Sequence, residues 1–220
     1  MYKFDIDIGG TKIKAILWNG KKISSVFNAK TPKTKKGFIK ILKTVVKKFA
    51  KGGIKIKSIC VGVAGIIGKN KIIFSPNIPY LKNFDFRGVF PGFSVKIDND
   101  ARVFLRDELK FGSGGKNKII MAFTIGTGIG RAFAENGKVK KIKKFEYPEK
   151  WEKEYQYIRD YKTSSALIKF LTEKLGAIIK KYNPQIVFIG GGILKRRNFL
   201  RHLSKKLKKE TMNAEIKFKK

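Results

Sequence analysis

Two glycine-rich turns stand where backbone amides could bind phosphate. Each lies between two apolar, strand-like stretches of sequence. Because glycine has no Cβ, phosphate oxygens can approach its N–H group, and a neighbouring threonine adds a hydroxyl donor. An ordinary hairpin turn is the alternative. The candidate phosphate-binding residues are Gly9, Gly10, Thr11 and Lys12 in the first turn, and Gly126, Thr127 and Gly128 in the second.

Aspartates near these segments could bind a metal ion or accept a proton. Asp7 comes just before the first turn, where it could hold Mg²⁺ through water. Asp100 closes the run Asp98-Asn99-Asp100, ahead of a predicted helix over about 101–110. A carboxylate at a helix N-terminus is stabilised in its ionised form and could accept a proton from a substrate hydroxyl. Asn99 offers a donor and an acceptor that suit a sugar, and the alternative role for Asp100 is a helix cap.

The sequence does not match the two common phosphate-binding motifs. A dinucleotide fingerprint needs a glycine at the position that Arg131 occupies, and Gly68-Lys69-Asn70 lacks residues that a Walker loop requires. A third glycine cluster follows an apolar stretch and could support a flat ring, although a tight turn is the alternative. That cluster consists of Gly190, Gly191 and Gly192.

The order of the elements predicts an α/β protein with mixed sheets flanked by helices. Apolar residues at helical spacing predict helices over about 38–49 and 167–179. The first is expected to pack on a sheet, with a membrane-surface helix as the alternative. Because both halves open with a hairpin, the sequence indicates a weak internal duplication. The flexible run Gly112 to Gly115 predicts a boundary between domains 1–112 and 113–220.

The charge is strongly positive, since 51 basic and 16 acidic residues give a formal net charge of +35. Only 8 of the basic residues are arginine, which proteins that read nucleic acid favour. The lysines either reflect a general surface bias or form a surface for polyanions. One cysteine and one histidine exclude a disulfide framework and a Cys/His zinc cluster within the chain. No stretch is apolar enough to enter a membrane, and a cytoplasmic protein is expected.

The motifs and their order resemble the ROK family of repressors, open reading frames and sugar kinases. That family has the two-lobed actin-like ATPase fold, which is related to ribonuclease H. The resemblance covers residues 2–137 and 175–195, and it identifies the chain as a shortened member. The matching segments are Asp7 to Lys12, Val61 to Gly65, Ser75 to Pro79, Asp98 to Ala101, Gly126 to Gly130 and Asn183 to Gly192.

The resemblance implies transfer of the ATP γ-phosphate to a hydroxyl of a sugar or amino sugar, with the nucleotide between two lobes. Asp100 would be the catalytic base, Asp7 would lie near Mg²⁺, and the three glycine-rich segments would hold ATP. A homodimer, in which a second copy of the chain is a further partner, is left open. The implied substrate-binding residues are Gly65, Asn77, Asn99 and Glu146, the last standing in for a family glutamate.

The sequence departs from the family after the second turn. Family kinases carry a Glu-x-Gly-His element and then a zinc motif of three cysteines, whereas residues 138–163 contain neither histidine nor cysteine. We therefore expect ATP and Mg²⁺ as cofactors and no zinc. Two alternatives stay open: a catalytically inactive protein that binds nucleotide or polyanions, and a sugar kinase that uses polyphosphate as donor.

Overall fold

The chain forms two compact units, Met1–Asp100 (unit 1) and Ala101–Lys220 (unit 2). The domain boundary predicted at 112/113 lies outside the described residues and stays a prediction. The computed structural model describes residues 2–111, 118–146, 148–196, 198–211 and 213–219.

Both units combine strands and helices. The elements of unit 1 are β1 (Tyr2–Ile8), β2 (Lys12–Trp18), β3 (Ile23–Lys30), α1 (Lys35–Ala50), β4 (Ile56–Val63), β5 (Ile66–Ile67), β6 (Ile72–Phe74) and β7 (Ser94–Asn99). Helix α2 (Asp100–Phe111) begins with the last residue of unit 1. The remaining elements are β8 (Ile119–Ile125), β9 (Ile129–Glu135), β10 (Lys138–Lys140), α3 (Lys143–Glu146), α4 (Glu152–Tyr161), α5 (Ser164–Tyr182), β11 (Ile186–Gly190), α6 (Phe199–Glu210) and β12 (Glu215–Lys219).

Each unit contains a five-stranded mixed sheet, and the two sheets share one topology. The strand orders are β3-β2-β1-β4-β7 and β10-β9-β8-β11-β12. In both orders the first three strands pair antiparallel and the last three pair parallel. The hairpins β1–β2 and β8–β9 therefore occupy equivalent positions, and the duplication indicated by the two turns is confirmed.

Helix α1 covers one face of the first sheet. The helix begins after Thr34, whose hydroxyl accepts a hydrogen bond from the Gly37 N–H group at 3.2 Å. Its buried side chains belong to one core with the inward-facing residues of β1, β2 and β4. Sheet packing is thus confirmed for this helix, whose lysines lie on the opposite, exposed face. The buried residues of α1 are Phe38, Leu42, Val45, Val46 and Phe49.

The second sheet is covered on both faces, which is why β8 and β11 are almost entirely apolar. In β8, Met121 and Phe123 contact the core beneath α4, α5 and α6, whereas Ile120 and Ala122 contact α2. A strand buried on both faces carries a continuous apolar run rather than an alternating one. The predicted α/β class with mixed sheets flanked by helices is confirmed. Within the described part of the chain, no helix is both long and apolar enough to span a membrane.

Three regions contain elements that were not predicted from the sequence, and the first is the short antiparallel pair of β5 and β6. Strand β3 is an exposed edge strand, in which Ile23 and Val26 keep 59% and 50% of their surfaces exposed. Residues 138–163, which show no clear periodicity, contain β10, α3 and α4. Helix α4 has few apolar residues because several of its inward contacts are polar.

Replacing Phe38 by alanine should destabilise unit 1 by about 3–5 kcal/mol, because this ring is fully buried. It makes edge contacts with the rings of Tyr80 and Phe84, each at 5.8 Å between centroids. Urea unfolding followed by circular dichroism measures the loss. Phe74→Ala is the matched control and should cost less than about 1 kcal/mol, because Phe74 is 42% exposed. Equal losses in the two variants would contradict the assignment of this core.

Candidate functional site

The first turn joins β1 to β2 and is held by Thr31. The Gly9 N–H group donates to the Lys12 carbonyl at 3.0 Å, which closes the hairpin. The Thr31 hydroxyl donates to the Gly9 carbonyl at 2.7 Å, and the Thr31 N–H group donates to the Thr11 carbonyl at 3.0 Å. Because a trans peptide directs its C=O and N–H groups in opposite directions, the bond to Gly9 turns the Gly10 N–H group away from Thr31. The four predicted phosphate-binding residues therefore form one anchored turn.

Strand register aligns Asp7 with a second carboxylate. Asp7 pairs with Gly62 on β4, and Gly62 pairs with Asp98 on β7. Neighbouring strands lie about 4.8 Å apart, so the α-carbons of the two aspartates are about 10 Å apart on one sheet face. Gly62 has no side chain to fill the interval. Mg²⁺ is commonly held by one or two carboxylates together with phosphate oxygens and water, and this pair fits that donor set.

The surroundings of Asp7 disfavour its negative charge. Nearby protein atoms displace solvating water and raise the pKa of this carboxyl above its usual value, while Lys12 and Lys14 act in the opposite direction. The residue is nevertheless exposed at the end of β1. A bound cation would supply the compensating charge. In the residues that the structure describes, no three His, Cys, Asp or Glu side chains come together as a metal-binding group.

Asn99 is buried and holds Gly65 in place. Its side-chain amide donates to the Gly65 carbonyl at 2.9 Å, and only 6% of the residue is exposed. Gly65 has a φ of +152°, and a Cβ there would lie 2.5 Å from the Phe74 carbonyl oxygen. The neighbouring Ala64 carbonyl accepts a hydrogen bond from the Ser75 hydroxyl at 2.7 Å. The structure therefore brings two of the predicted substrate-binding residues, Gly65 and Asn99, into direct contact.

Helix α2 begins at Asp100, the predicted base. The sequence placed this residue in the capping position before the helix, and the observed start lies one residue earlier. The helix N-terminus stabilises the ionised carboxylate in either case. Asp100 directly follows Asn99, so an anchored strand end precedes the carboxylate.

Asn77 lines a hollow, a surface pocket of about 230 Å³ beside the first turn. Its other walls include Gly10, Thr31 and Tyr80. The Tyr80 hydroxyl donates to the Pro32 carbonyl at 2.5 Å and ties one wall to the segment that follows β3. Asn77, predicted to bind substrate, and Gly10, predicted to bind phosphate, thus line one hollow.

The second turn joins β8 to β9 and is bonded by side chains of α4. The Gly126 N–H group donates to the Gly128 carbonyl at 2.9 Å. The Gly126 carbonyl accepts from the Tyr155 hydroxyl at 2.7 Å and from Arg159 at 3.1 Å. The Thr127 carbonyl also accepts from Arg159. Tyr155 and Arg159 were not predicted from the sequence, because no motif or periodicity marks the segment in which they lie.

Of the three glycines at the end of β11 and just after it, two have packing roles. Gly191 has a φ of +109°, and a Cβ there would lie 2.4 Å from the carbonyl oxygen of Ile125, next to the second turn. A Cβ at Gly190 would lie 2.8 Å from the ring of Phe104. At Gly192 a Cβ would meet no atom of the described residues within 4 Å, which leaves room for a ligand against the backbone there.

Glu146 forms a largely buried ion pair with Arg102. The two side chains are 11% and 4% exposed, and the bond uses Oε2 of the glutamate. Oε1 is buried and has no hydrogen-bond partner among the described residues. The predicted contact of Glu146 with a sugar stays a prediction.

Arg131, whose presence breaks the dinucleotide fingerprint, is a buried structural residue. It pairs with Glu152 at the start of α4 and contacts the ring of Trp151 at 5.6 Å. Its side chain is 1% exposed. Arginine therefore links β9 to α4 at this position.

The substitution Gly65→Ala should destabilise the protein by about 2 kcal/mol or more, because the added methyl group meets a backbone oxygen at a strained φ. It should also displace Asn99 and lower any activity of the site. Urea unfolding measures the first effect. Gly88→Ala is the control, since a Cβ there meets no atom within 4 Å, and its effect should stay within about 0.5 kcal/mol. A Gly65 variant as stable as this control would refute the close packing.

The substitution Asp7→Asn should raise the melting temperature at pH 7. Since folding raises the pKa of Asp7, the native state holds its proton more tightly than the unfolded state. Stability therefore falls as pH rises from the unfolded to the folded pKa, and the neutral asparagine avoids this loss. The gain should disappear near about pH 3, where both states are protonated. Thermal unfolding at the two pH values provides the measurement.

Asp85→Asn is the control of opposite sign. A hydrogen bond from Arg87 lowers the pKa of Asp85, so the loss of this carboxylate should not raise the melting temperature at pH 7. An Asp7 variant that melts below the wild-type protein at pH 7 would show that its carboxylate stabilises the fold.

Two sequence relatives are kinases of sugars or amino sugars. The chain is 29% identical over 144 residues to a glucokinase of Streptomyces coelicolor, and the match covers 62% of this chain and 44% of the relative. It is 26% identical over 146 residues to an N-acetyl-D-glucosamine kinase of Haemophilus influenzae, with 62% and 47% covered. The match thus spans less than half the length of these curated relatives.

Solved structures share the fold along nearly the whole chain. A ROK family glucokinase from Streptomyces griseus, in complex with glucose and AMPPNP, superimposes with a TM-score of 0.80 at 18% identity, covering 99% of this chain and 94% of that one. An inorganic polyphosphate/ATP-glucomannokinase from Arthrobacter gives 0.76 at 24% identity, covering 99% and 91%. The predicted actin-like ATPase fold is therefore confirmed. Residues 4–141 match the family model described as "ROK family", and the chain belongs to that family.

Proposed function

We propose that this chain transfers the γ-phosphoryl group of ATP to a hydroxyl of a sugar or amino sugar. The observation that carries the proposal is the 2.9 Å bond from the Asn99 amide to the Gly65 carbonyl. This bond fixes the ends of β4 and β7 immediately before Asp100, the proposed base. Because phosphoryl transfer depends mainly on positioning, a carboxylate behind an anchored strand end suits the role. The kinase activities of the sequence relatives support the same reaction class.

In the proposed reaction, Asp100 accepts the proton of the substrate hydroxyl. The hydroxyl oxygen forms a bond to the γ-phosphorus of ATP while the bond from that phosphorus to the β–γ bridging oxygen breaks. The products are a sugar phosphate and ADP, and the proton leaves Asp100 to solvent. The start of α2 favours the ionised carboxylate that this step requires.

The glycine-rich turns are the proposed nucleotide-binding elements, one from each proposed lobe, 1–112 and 113–220. The first turn would hold phosphate through Gly10 and Thr11, and the second through Thr127 and Gly128. The open backbone at Gly192 would lie against the adenosine side of ATP. Asp7, with Asp98 across Gly62, would hold Mg²⁺, which neutralises phosphate charge when bound.

Three further residues are proposed to contact the sugar beside Asn99. Gly65 would act through its backbone and Asn77 through its side chain in the hollow next to Gly10. Glu146 would act through its carboxylate, which Arg102 holds. A carboxylate held by an arginine is fixed in orientation and would select the geometry of an incoming hydroxyl.

A panel of glucose, mannose, N-acetylglucosamine and N-acetylmannosamine with ATP and Mg²⁺, followed by ADP release, tests the proposal. We expect turnover of at least one sugar. Asp100→Asn should lower kcat at least about 100-fold, since a general base contributes about 10²- to 10⁴-fold, while the affinity for AMPPNP stays nearly unchanged. Asp85→Asn is the matched control and should keep wild-type activity, because Asp85 lies on a surface turn in a local pair with Arg87.

The same panel separates the alternatives. Turnover with polyphosphate but not with ATP would show that polyphosphate is the phosphate donor. The proposed transfer to a sugar hydroxyl would then still hold. Binding of AMPPNP without turnover of any sugar would indicate a non-catalytic nucleotide-binding protein. An Asp100 variant that retains more than a tenth of wild-type kcat would remove this residue from the role of base.

A further inference from the structure

Three donors of α4 reach the carbonyl groups of the second turn. The Tyr155 hydroxyl binds the Gly126 carbonyl at 2.7 Å, and Arg159 binds the carbonyls of both Gly126 and Thr127. The side-chain amide of Gln156 donates to the Thr127 carbonyl at 3.4 Å. Tyr155 and Arg159 stand one helical turn apart, so both side chains lie on the same face of α4.

These bonds determine which way the turn presents its amides. All peptide bonds in the described chain are trans, and a planar trans peptide points its N–H group away from its C=O group. With the carbonyls of Gly126 and Thr127 directed at α4, the N–H groups of Thr127 and Gly128 are directed away from it. Successive amides that point to one side form an anion-binding concavity. Among the residues that the structure describes, none has an atom within 4 Å of a Cβ placed at Gly126, so this part of the turn is also open.

The donors on α4 are themselves fixed. Asp160 accepts two hydrogen bonds from Arg159 at 2.7 Å, which orients the guanidinium. Tyr155 is fully buried, and burial raises its pKa to about 12, so its hydroxyl stays a donor at neutral pH. Both ends of the helix are held by side chains. Glu152 forms an ion pair with Arg131, and the Arg159 carbonyl accepts a hydrogen bond from Arg196 at 2.9 Å.

We propose that Arg159 and Tyr155 are positioning residues that orient the second turn for the phosphates of ATP. The inference rests on the proposed function and adds residues that no recognised phosphate motif contains. A glycine-rich turn loses conformational freedom when it binds a ligand, and a turn already held in the binding conformation avoids that loss. Arg159 and Tyr155, which we call the clamp, therefore contribute to nucleotide affinity without contacting the nucleotide.

Titration calorimetry with AMPPNP and Mg²⁺ tests the proposal on the intact chain. Arg159→Ala should bind about 10- to 100-fold more weakly, because it loses charge-assisted bonds to two carbonyls, while the KM for the sugar stays unchanged. Arg159→Lys should recover part of the affinity, since it keeps one charged donor. Tyr155→Phe should weaken binding several-fold. Arg201→Ala on the exposed face of α6 is the matched control and should bind like the wild-type protein.

The outcomes distinguish this inference from the proposed function. A folded Arg159→Ala variant that binds AMPPNP like the wild-type protein overturns the clamp and leaves the kinase proposal intact. An equal loss of sugar and nucleotide affinity indicates a general structural role and also overturns the clamp. A wild-type protein that binds no AMPPNP overturns both. If Arg159→Ala does not fold, Arg159→Lys and Tyr155→Phe are judged by the same criteria.

Discussion

Hydrogen bonds to the carbonyl oxygens of the two hairpin turns are the constraint on which the proposed site depends. A turn of glycine and threonine can close a hairpin in several ways, and only some of them direct amides to a ligand. In unit 1 the carbonyls of Gly9 and Thr11 are taken by Thr31. In unit 2 those of Gly126 and Thr127 are taken by α4. The carbonyls of the two hairpin turns are thus bound by unrelated donors. In unit 1 the donors are a hydroxyl and a backbone amide, and in unit 2 they are side chains of α4.

Sheet topology explains why the remaining candidate residues lie where they do. The parallel strands β1, β4 and β7 all end on the same edge of the first sheet, and the residues at or just beyond those ends are Asp7, Gly65 and Asn99. Ligands in α/β proteins bind beyond the carboxyl ends of parallel strands, because loops there converge while the strands stay rigid. The Asn99 bond to Gly65 joins two of these ends directly. The glycines after β11 hold the corresponding place in the second sheet.

Much of this arrangement could be predicted from sequence because it depends on local patterns. The strands beside both turns, the apolar faces of α1 and α5, and the glycine-rich turns follow from periodicity and from residues with special backbone freedom. Strand β3 was missed because its residue types do not alternate with burial: Ser25, Phe27 and Ala29 are half-buried, whereas the apolar Ile23 and Val26 are exposed. Helix α4 was missed because its inward residues include an arginine and a tyrosine that bind carbonyls. Likewise, the burial of Glu146 against Arg102 depends on a partner 44 residues away, which no local pattern reports.

Three arginines of this lysine-rich chain show where a planar, forked cation is required. Only 8 of the 51 basic residues are arginine, yet Arg102, Arg131 and Arg159 all have largely buried side chains that pair with carboxylates. A guanidinium can bind two acceptors at fixed angles and is weakly hydrated, whereas an ammonium is a strongly hydrated point charge. A buried pairing with a carboxylate therefore favours arginine over lysine. Arg159 illustrates the difference, since one guanidinium orients two peptide carbonyls and pairs with Asp160 at the same time. A lysine there could satisfy the charge but could not hold all of these acceptors in one plane.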